Sequence, residues 1–229
     1  MVGIMRKWIF SLILIVVNLT VFQLLKAQSS LSGISIVGAL SESRIIGNGN
    51  WSGSFITGGQ AGMIFPVKHF SESLALRVEF NLSLQGSEWK RELVIFSPSG
   101  VPVNTAEKKG KLTLLYTNAP LTLRYQTKNR LFFESGIQFG YLIGLDNINY
   151  NLVTGYHNLP VTKSDFKSID IGIPFEAGYE FKSNIGLGLR LYRGLSNIND
   201  YESTENNHNF VVSLRLTFNF RKKTEPDSL

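Results

Sequence analysis

The 229-residue sequence predicts an all-β fold: an eight-stranded antiparallel up-and-down transmembrane β-barrel after a cleaved signal peptide. Three observations carry this. The segment Leu74–Gln85 sets Leu74, Leu76, Val78, Phe80, Leu82 and Leu84 against Ala75, Arg77, Glu79, Asn81, Ser83 and Gln85, which are small or polar. Side chains on a strand point alternately to opposite faces, so this is a two-faced strand. It supplies the roughly 9–11 tilted residues that cross a bilayer. Seven further segments read as strands, and the connections between them alternate long and short. That alternation is the pattern of extracellular loops and periplasmic turns.

In chain order, residues 1–27 read as the signal peptide. Arg6 and Lys7 give a positive start, Trp8 to Leu25 is mostly apolar, and Leu25-Lys26-Ala27 ends on a small residue. A retained anchor is the rival reading, with a run near the lower length limit for one. Ser11, Asn18, Thr20 and Gln23 interrupt that run. The barrel is expected over 28–220 and a solvated periplasmic tail over 221–229. The strands run approximately over 33–40, 53–66, 72–86, 111–126, 131–145, 167–181, 184–195 and 208–220. The long connections are 41–52, 87–110, 146–166 and 196–207. The short ones are Val67–Ser71, Thr127–Arg130 and Lys182–Ser183.

The first strand is weak and contains glycine. The fourth holds Pro120 and the sixth Pro174, and a proline removes a ladder donor. In the fourth, the apolar phase of Leu112, Leu114 and Tyr116 becomes that of Leu121, Leu123 and Tyr125, which predicts a bulge near Asn118–Pro120. In the fifth, Leu131, Phe133, Ser135, Ile137, Phe139, Tyr141, Ile143 and Leu145 share a face, with Phe132 and Leu142 as exceptions on the other.

Alternation alone leaves inside and outside interchangeable, and a soluble lipocalin-like barrel would point its apolar face inward. The cations decide. After removal of residues 1–27, eleven lysines remain, all in loops, turns or strand ends. The mid-strand cations are Arg77, Arg124, Arg190 and Arg215, on a face that also carries Glu79, Glu134, Asp170, Glu176 and Glu180. Arginine forms bidentate carboxylate pairs and tolerates burial better than lysine, so these residues are expected to form a lumen network. Tyr125, Phe133, Tyr179, Phe181, Phe218 and Phe220 cluster at the short-turn ends of their strands and are expected to form an aromatic girdle.

Several chemistries are excluded or unsupported. The chain has no cysteine, so neither disulfides nor a lipoprotein anchor is available. The mature chain carries 20 Lys and Arg against 17 Asp and Glu, too small an excess for nucleic-acid binding. No histidine pair has metal spacing, no serine sits in a nucleophile elbow, and no cofactor is predicted. His157, Asp146, Asp165 and Asp200 could meet at the barrel mouth as an acid–histidine site, but long loops carry such residues anyway; His69 and His208 lie elsewhere. The Gly58-Gly59 and Gly47-Asn48-Gly49 clusters read as kinks and turns.

The segments Gly58 to Pro66 (GGQAGMIFP), Tyr116 to Tyr125 (YTNAPLTLRY), Glu134 to Tyr141 (ESGIQFGY), Gly172 to Phe181, Leu191 to Ile198 (LYRGLSNI) and the final strand resemble the PorT-like porin family of small outer-membrane barrels. The resemblance spans nearly the whole mature chain and rests on motif order rather than on any single motif. It implies an eight-stranded barrel of the bacterial outer membrane with no assigned chemistry; a role in secretion does not follow from fold. One departure is the tail after Phe220, since such barrels commonly end on an aromatic assembly signal. The expected protein is non-enzymatic, with outer-membrane lipids, the barrel-assembly machinery and an extracellular or envelope protein as partners. Loops 87–110 and 146–166 are the expected contact surfaces. A narrow passive channel for small solutes and a soluble binding barrel are the alternatives.

Overall fold

The structure, a computed structural model, describes residues 33–48, 52–96, 99–100, 102–149, 162–200 and 206–220. Residues 34–219 form one compact unit. Its strands are β1 (Ser35–Gly47), β2 (Ile56–His69), β3 (Leu74–Phe96), β4 (Pro102–Gln126), β5 (Leu131–Asn149), β6 (Ile169–Glu180), β7 (Ile185–Gly194) and β8 (Asn207–Asn219). Each pairs antiparallel with its neighbour in sequence, and β1 pairs with β8 from Ser35↔Asn219 to Gly47↔Asn207. The result is a closed eight-stranded barrel in sequence order, in which each strand has a neighbour on both sides. Gly33 and Phe220 belong to a second unit, where the Gly33 N–H donates to the Phe220 carbonyl at 2.7 Å. The expected signal peptide and tail, residues 1–27 and 221–229, lie outside the described residues.

The short turns form as expected, with local chemistry that explains them. Thr127 and Leu131 close the β4–β5 turn, and Arg130 adopts φ 67°. The Phe181 N–H donates to the Ile185 carbonyl across the β6–β7 turn, where Asn184 adopts φ 63°. Asparagine is among the residues that accept this left-handed conformation most readily.

The long connections differ from expectation. Residues 87–96 and 102–110 are strand rather than loop: Ser87↔Leu112 through Phe96↔Pro102 continue the β3–β4 ladder. β1 likewise continues to Gly47, which shortens the first connection. In the sequence these extensions do not alternate apolar with polar residues, so the pattern that marks a lipid-facing strand is missing. Backbone pairing needs no such face where the outside is water.

The bulge also differs from expectation. Along β4 the inward positions run without interruption through Leu112, Leu114, Tyr116, Asn118, Pro120, Thr122 and Arg124. The register shift lies on β5, where Leu115 pairs with Gly144 and Tyr116 with Leu142, leaving Ile143 extra. Ile143 faces out, and beyond it Leu145 packs inward against the core. Phe132 and Leu142, the two apparent exceptions on β5, point into the lumen and are fully buried.

Both strand prolines face inward and interrupt one ladder without changing its register. The β3–β4 pairing skips from Val78↔Leu121 to Asn81↔Asn118 around Pro120. The β5–β6 pairing skips from Ser135↔Phe175 to Gln138↔Gly172 around Pro174. At Pro174 the Ser135 hydroxyl donates to the proline carbonyl at 3.0 Å, a side-chain tie between β5 and β6 where their ladder is interrupted.

Candidate functional site: the filled lumen

The outer and inner faces are as different as the alternation requires. Leu40, Leu82, Leu121, Ile137, Phe139, Leu189, Leu214 and Leu216 are exposed, whereas Glu79, Glu134, Glu176, Arg190 and Arg215 are buried. A water-soluble barrel has the reverse arrangement. The inward residues of β3 to β8 carry the charges, while β1 and β2 carry none there and include the small residues Ser35, Ala39, Ser41, Gly58 and Gly62. Ala39 is the register partner of Arg215. Gly62 faces Asn81 so closely that a Cβ on it would stand 2.5 Å from the Asn81 Cβ. Small residues on one wall thus make room for long arginines from the other.

Three arginines and three glutamates interlock there. Arg215 holds Glu79 by two parallel bonds, Nη1 to Oε1 at 3.1 Å and Nη2 to Oε2 at 2.7 Å. Its Nε lies 3.1 Å from Glu176. Arg190 reaches three acids: Nε to Glu176 at 2.7 Å, Nη1 to Glu79 at 3.0 Å and Nη2 to Glu134 at 3.1 Å. Arg77 adds a 3.0 Å pair with Glu134, and Thr122 donates to the same carboxylate at 2.7 Å. Asn81 donates to Glu79 at 2.7 Å and accepts from Asn118 at 2.9 Å. Each glutamate therefore meets two arginines, and the charges cancel within the group. The bonds link β3 to β7 and β8, and β5 to β3 and β7, so they cross the barrel rather than follow its wall.

Below this group, Arg124 pairs with Glu180 at 2.7 Å and lies 3.8 Å from the centre of the Phe132 ring. That contact combines an ion pair with a cation–π interaction. Gly178 and Gly188 are opposed across β6 and β7. A Cβ at Gly178 would stand 2.5 Å from the Phe132 ring, and one at Gly188 would strike the Glu176 carboxylate. These two glycines clear the space that Phe132 and Glu176 fill.

Asp170 stands apart from the arginines. It accepts from Tyr192 Oη at 3.0 Å, Ser196 Oγ at 2.7 Å and Asn209 Nδ2 at 2.8 Å. Eight of the nine expected lumen residues thus lie in ion pairs, and the ninth lies in a hydroxyl and amide cluster.

Above Asp170 the lumen turns apolar. Ile45, Trp89, Leu112, Leu114, Tyr116, Leu142, Phe166 and Ile198 form one buried cluster, with Leu145 against it. Phe166 and Ile198 come from the connections flanking β6 and β7. Phe166 bridges to Asn199, and the Lys167 N–H donates to the Ile198 carbonyl at 2.8 Å. This short ladder seats both side chains over the barrel mouth. The bulge expected near Asn118–Pro120 would put Leu112, Leu114 and Tyr116 on one face with Leu121, Leu123 and Tyr125; instead all three point inward and are buried. Counting back from Arg124 by twos reaches all three, and that parity was the available signal.

The aromatic positions Tyr125, Phe133, Tyr179, Phe181 and Phe218 are exposed near the short-turn ends. Tyr125 pairs with Phe133, and Tyr179 packs edge-on against Phe181 at 5.0 Å. Phe220, the sixth, is exposed in the second unit. Phe70, beside Lys68 at 5.3 Å, extends the same end and was not anticipated. The expected acid–histidine grouping depends on a residue outside the described ones. His157 lies outside them, His69 is exposed at the end of β2, and Asp165 accepts the Thr162 N–H at 2.7 Å. The His208 Nδ1 meets the Ser196 carbonyl at 2.9 Å. No cluster suited to a metal occurs among the described residues.

A closed barrel that is apolar outside and ion-paired inside defines an integral membrane β-barrel. Residues 27–200 match the family model described as the outer membrane protein beta-barrel domain, and the chain belongs to that family. It is a protein of the bacterial outer membrane. No curated protein matches the sequence. Among solved structures it is similar to Neisserial surface protein A, with 12% identity, 82% of this chain and 98% of that one covered, and a TM-score of 0.42. The outer membrane protein OprG from Pseudomonas aeruginosa gives 10%, 83% and 97%, and 0.39. Ail, the attachment invasion locus protein of Yersinia pestis, gives 11%, 82% and 99%, and 0.36.

Proposed function

We propose that this protein is a non-conducting, non-enzymatic outer-membrane barrel that acts through its extracellular surface, within the PorT-like branch of the family. The observation that carries this reading is the double closure of the lumen. An eight-stranded barrel has an interior just wide enough for side chains to fill. Here the Arg190-centred ion pairs span it at one level, and the Phe166–Ile198 cluster covers it at another. A solute would have to displace both. The β3–β4 hairpin, which stays paired to Phe96↔Pro102, offers a stiff platform for an extracellular or envelope partner. The motif order from Gly58 to Ile198 supports the PorT-like placement. Residues 1–27 act as the export signal, and the aromatic end of β8 is the feature the barrel-assembly machinery would read. The test is electrical. Refolded protein in a planar bilayer is expected to give no steady current, and a persistent open state would overturn the closed-lumen reading.

A further inference from the structure

The outer face of β7, β8 and β1 carries a feature that the lumen does not explain. Arg193, Phe210 and Arg44 lie side by side in register across these three strands. All three belong to the outward positions. Arg44 stacks on Phe55 at 5.0 Å and on Phe210 at 6.0 Å, and the two rings meet edge-on at 6.2 Å. The stack buries Arg44 Nε, which has no hydrogen-bond partner among the described residues. Neither arginine is in an ion pair among the described residues, in contrast to Arg77, Arg124, Arg190 and Arg215 in the lumen.

The row sits at a defined depth. Arg193 is eight residues beyond Ile185, the periplasmic end of β7. A strand rises about 3.3 Å per residue and tilts about 40° in such barrels, which puts the row roughly 20 Å above that end, against an apolar band of about 25 Å. The guanidinium groups therefore reach the outer-leaflet headgroups. The two backbones are two strand spacings apart, about 10 Å. That span lets two cations serve one phosphate from both sides or two phosphates on one headgroup.

On the periplasmic side of the row, the same three strands hold a mostly apolar groove of about 770 Å³, which Gln60 of β2 and the lumen residue Arg215 also line. Leu40, Leu187, Leu214, Leu216 and Phe218 line it, and Gly38 lies in its floor. A Cβ on Gly38 would meet nothing within 4 Å, so the groove exists because glycine stands there. Cations above an apolar furrow match a lipid: phosphate in the headgroup, acyl chain below.

We propose that the β7–β8–β1 face is a binding site for an outer-leaflet lipid with a phosphorylated headgroup, held by Arg44 and Arg193 with an acyl chain in the Gly38 groove. Arginine suits this role because its fork matches phosphate oxygens, and the flanking rings fix its orientation.

The test uses the full-length mature barrel refolded in detergent, with diphosphoryl lipid A as the probe and native mass spectrometry as the readout. Wild-type protein is expected to retain one lipid. The Arg44→Gln/Arg193→Gln variant is expected to bind at least 10-fold more weakly. Gly38→Leu, whose Cβ would meet nothing within 4 Å, is expected to fill the groove and weaken binding several-fold, and Lys128→Ala at the opposite rim to leave it unchanged. Heat-dependent gel migration checks that each variant is folded. A second arm uses wild type alone: dephosphorylated lipid A is expected to bind at least 10-fold more weakly. Equal retention by the arginine variant or indifference to dephosphorylation would overturn the proposal. So would a protein dimer that occupies this face in place of lipid.

Discussion

The two halves of the lumen obey opposite rules. In the lower half, the wall is apolar outside and charged inside. In the upper half it is polar outside and apolar inside. β3 shows the inversion without any change of phase. Its inward side runs from Arg77 and Glu79 through Ser83 and Gln85 to Trp89, while its outward side runs from Val78, Phe80 and Leu84 to Glu88 and Lys90. β4 does the same from Arg124 and Thr122 to Leu114 and Leu112. The change near Tyr116, ten residues beyond Gln126, falls about 25 Å along the barrel axis, near the top of the bilayer. Below that level hydrocarbon surrounds the wall and the chain's polar groups must gather inside. Above it water surrounds the wall and the ordinary hydrophobic effect fills the core.

The comparison predicts different responses to substitution. The largest effect is expected in the charged half, where Glu79, Glu134 and Glu176 each hold two arginines. Glu79→Ala leaves Arg190 and Arg215 short of a counter-charge, and breaking a buried pair in this way costs about 3–5 kcal/mol. Urea unfolding followed by heat-dependent gel migration in lipid or detergent measures it. The double variant Glu79→Gln/Arg190→Met is expected to lose less than the two single changes combined; strict additivity would mean that the ion pairs are not coupled.

The next largest effect tests the outer face. Leu214→Arg, on the lipid-facing side of β8, is expected to cost about 2–4 kcal/mol if it lies at the membrane midplane, and to impair insertion. Efficient insertion of this variant into vesicles would contradict the assignment of faces. The smallest effect belongs to the apolar half. Ile198→Val removes one methylene from the upper cluster and is expected to cost about 0.5–1.5 kcal/mol by the same unfolding assay, without stranding a charge. A loss as large as that of Glu79→Ala would erase the distinction between the halves.

The sequence was most legible where the wall separates hydrocarbon from a polar interior. On β6 the alternation from Ile169 to Phe181 separates two faces, and Asp170, Glu176 and Glu180 lie on the buried one. It was least legible at the inversion. Leu112, Leu114 and Tyr116 have the composition of a lipid-facing stretch, and only their parity with Arg124 places them inside. The extensions of β1, β3 and β4 are not legible because their sequences lack the apolar–polar alternation that marks a wall between hydrocarbon and a polar interior. The pairings within the lumen were also out of reach: Glu79 meets Arg190 and Arg215 from 111 and 136 residues away.

The sequence by itself determined the class of fold, the strands inside the bilayer, the polarity of their two faces and the identity of the buried charges. Those features depend on a period of two and on composition, and both are local. Tertiary structure alone decided which arginine holds which glutamate, why Asp170 stands outside that group, and that Phe166 and Ile198 close the mouth. It also gathered Arg44, Arg193 and Gly38 on one outer face. Such contacts depend on barrel closure and register, which bring distant residues to one level of the wall.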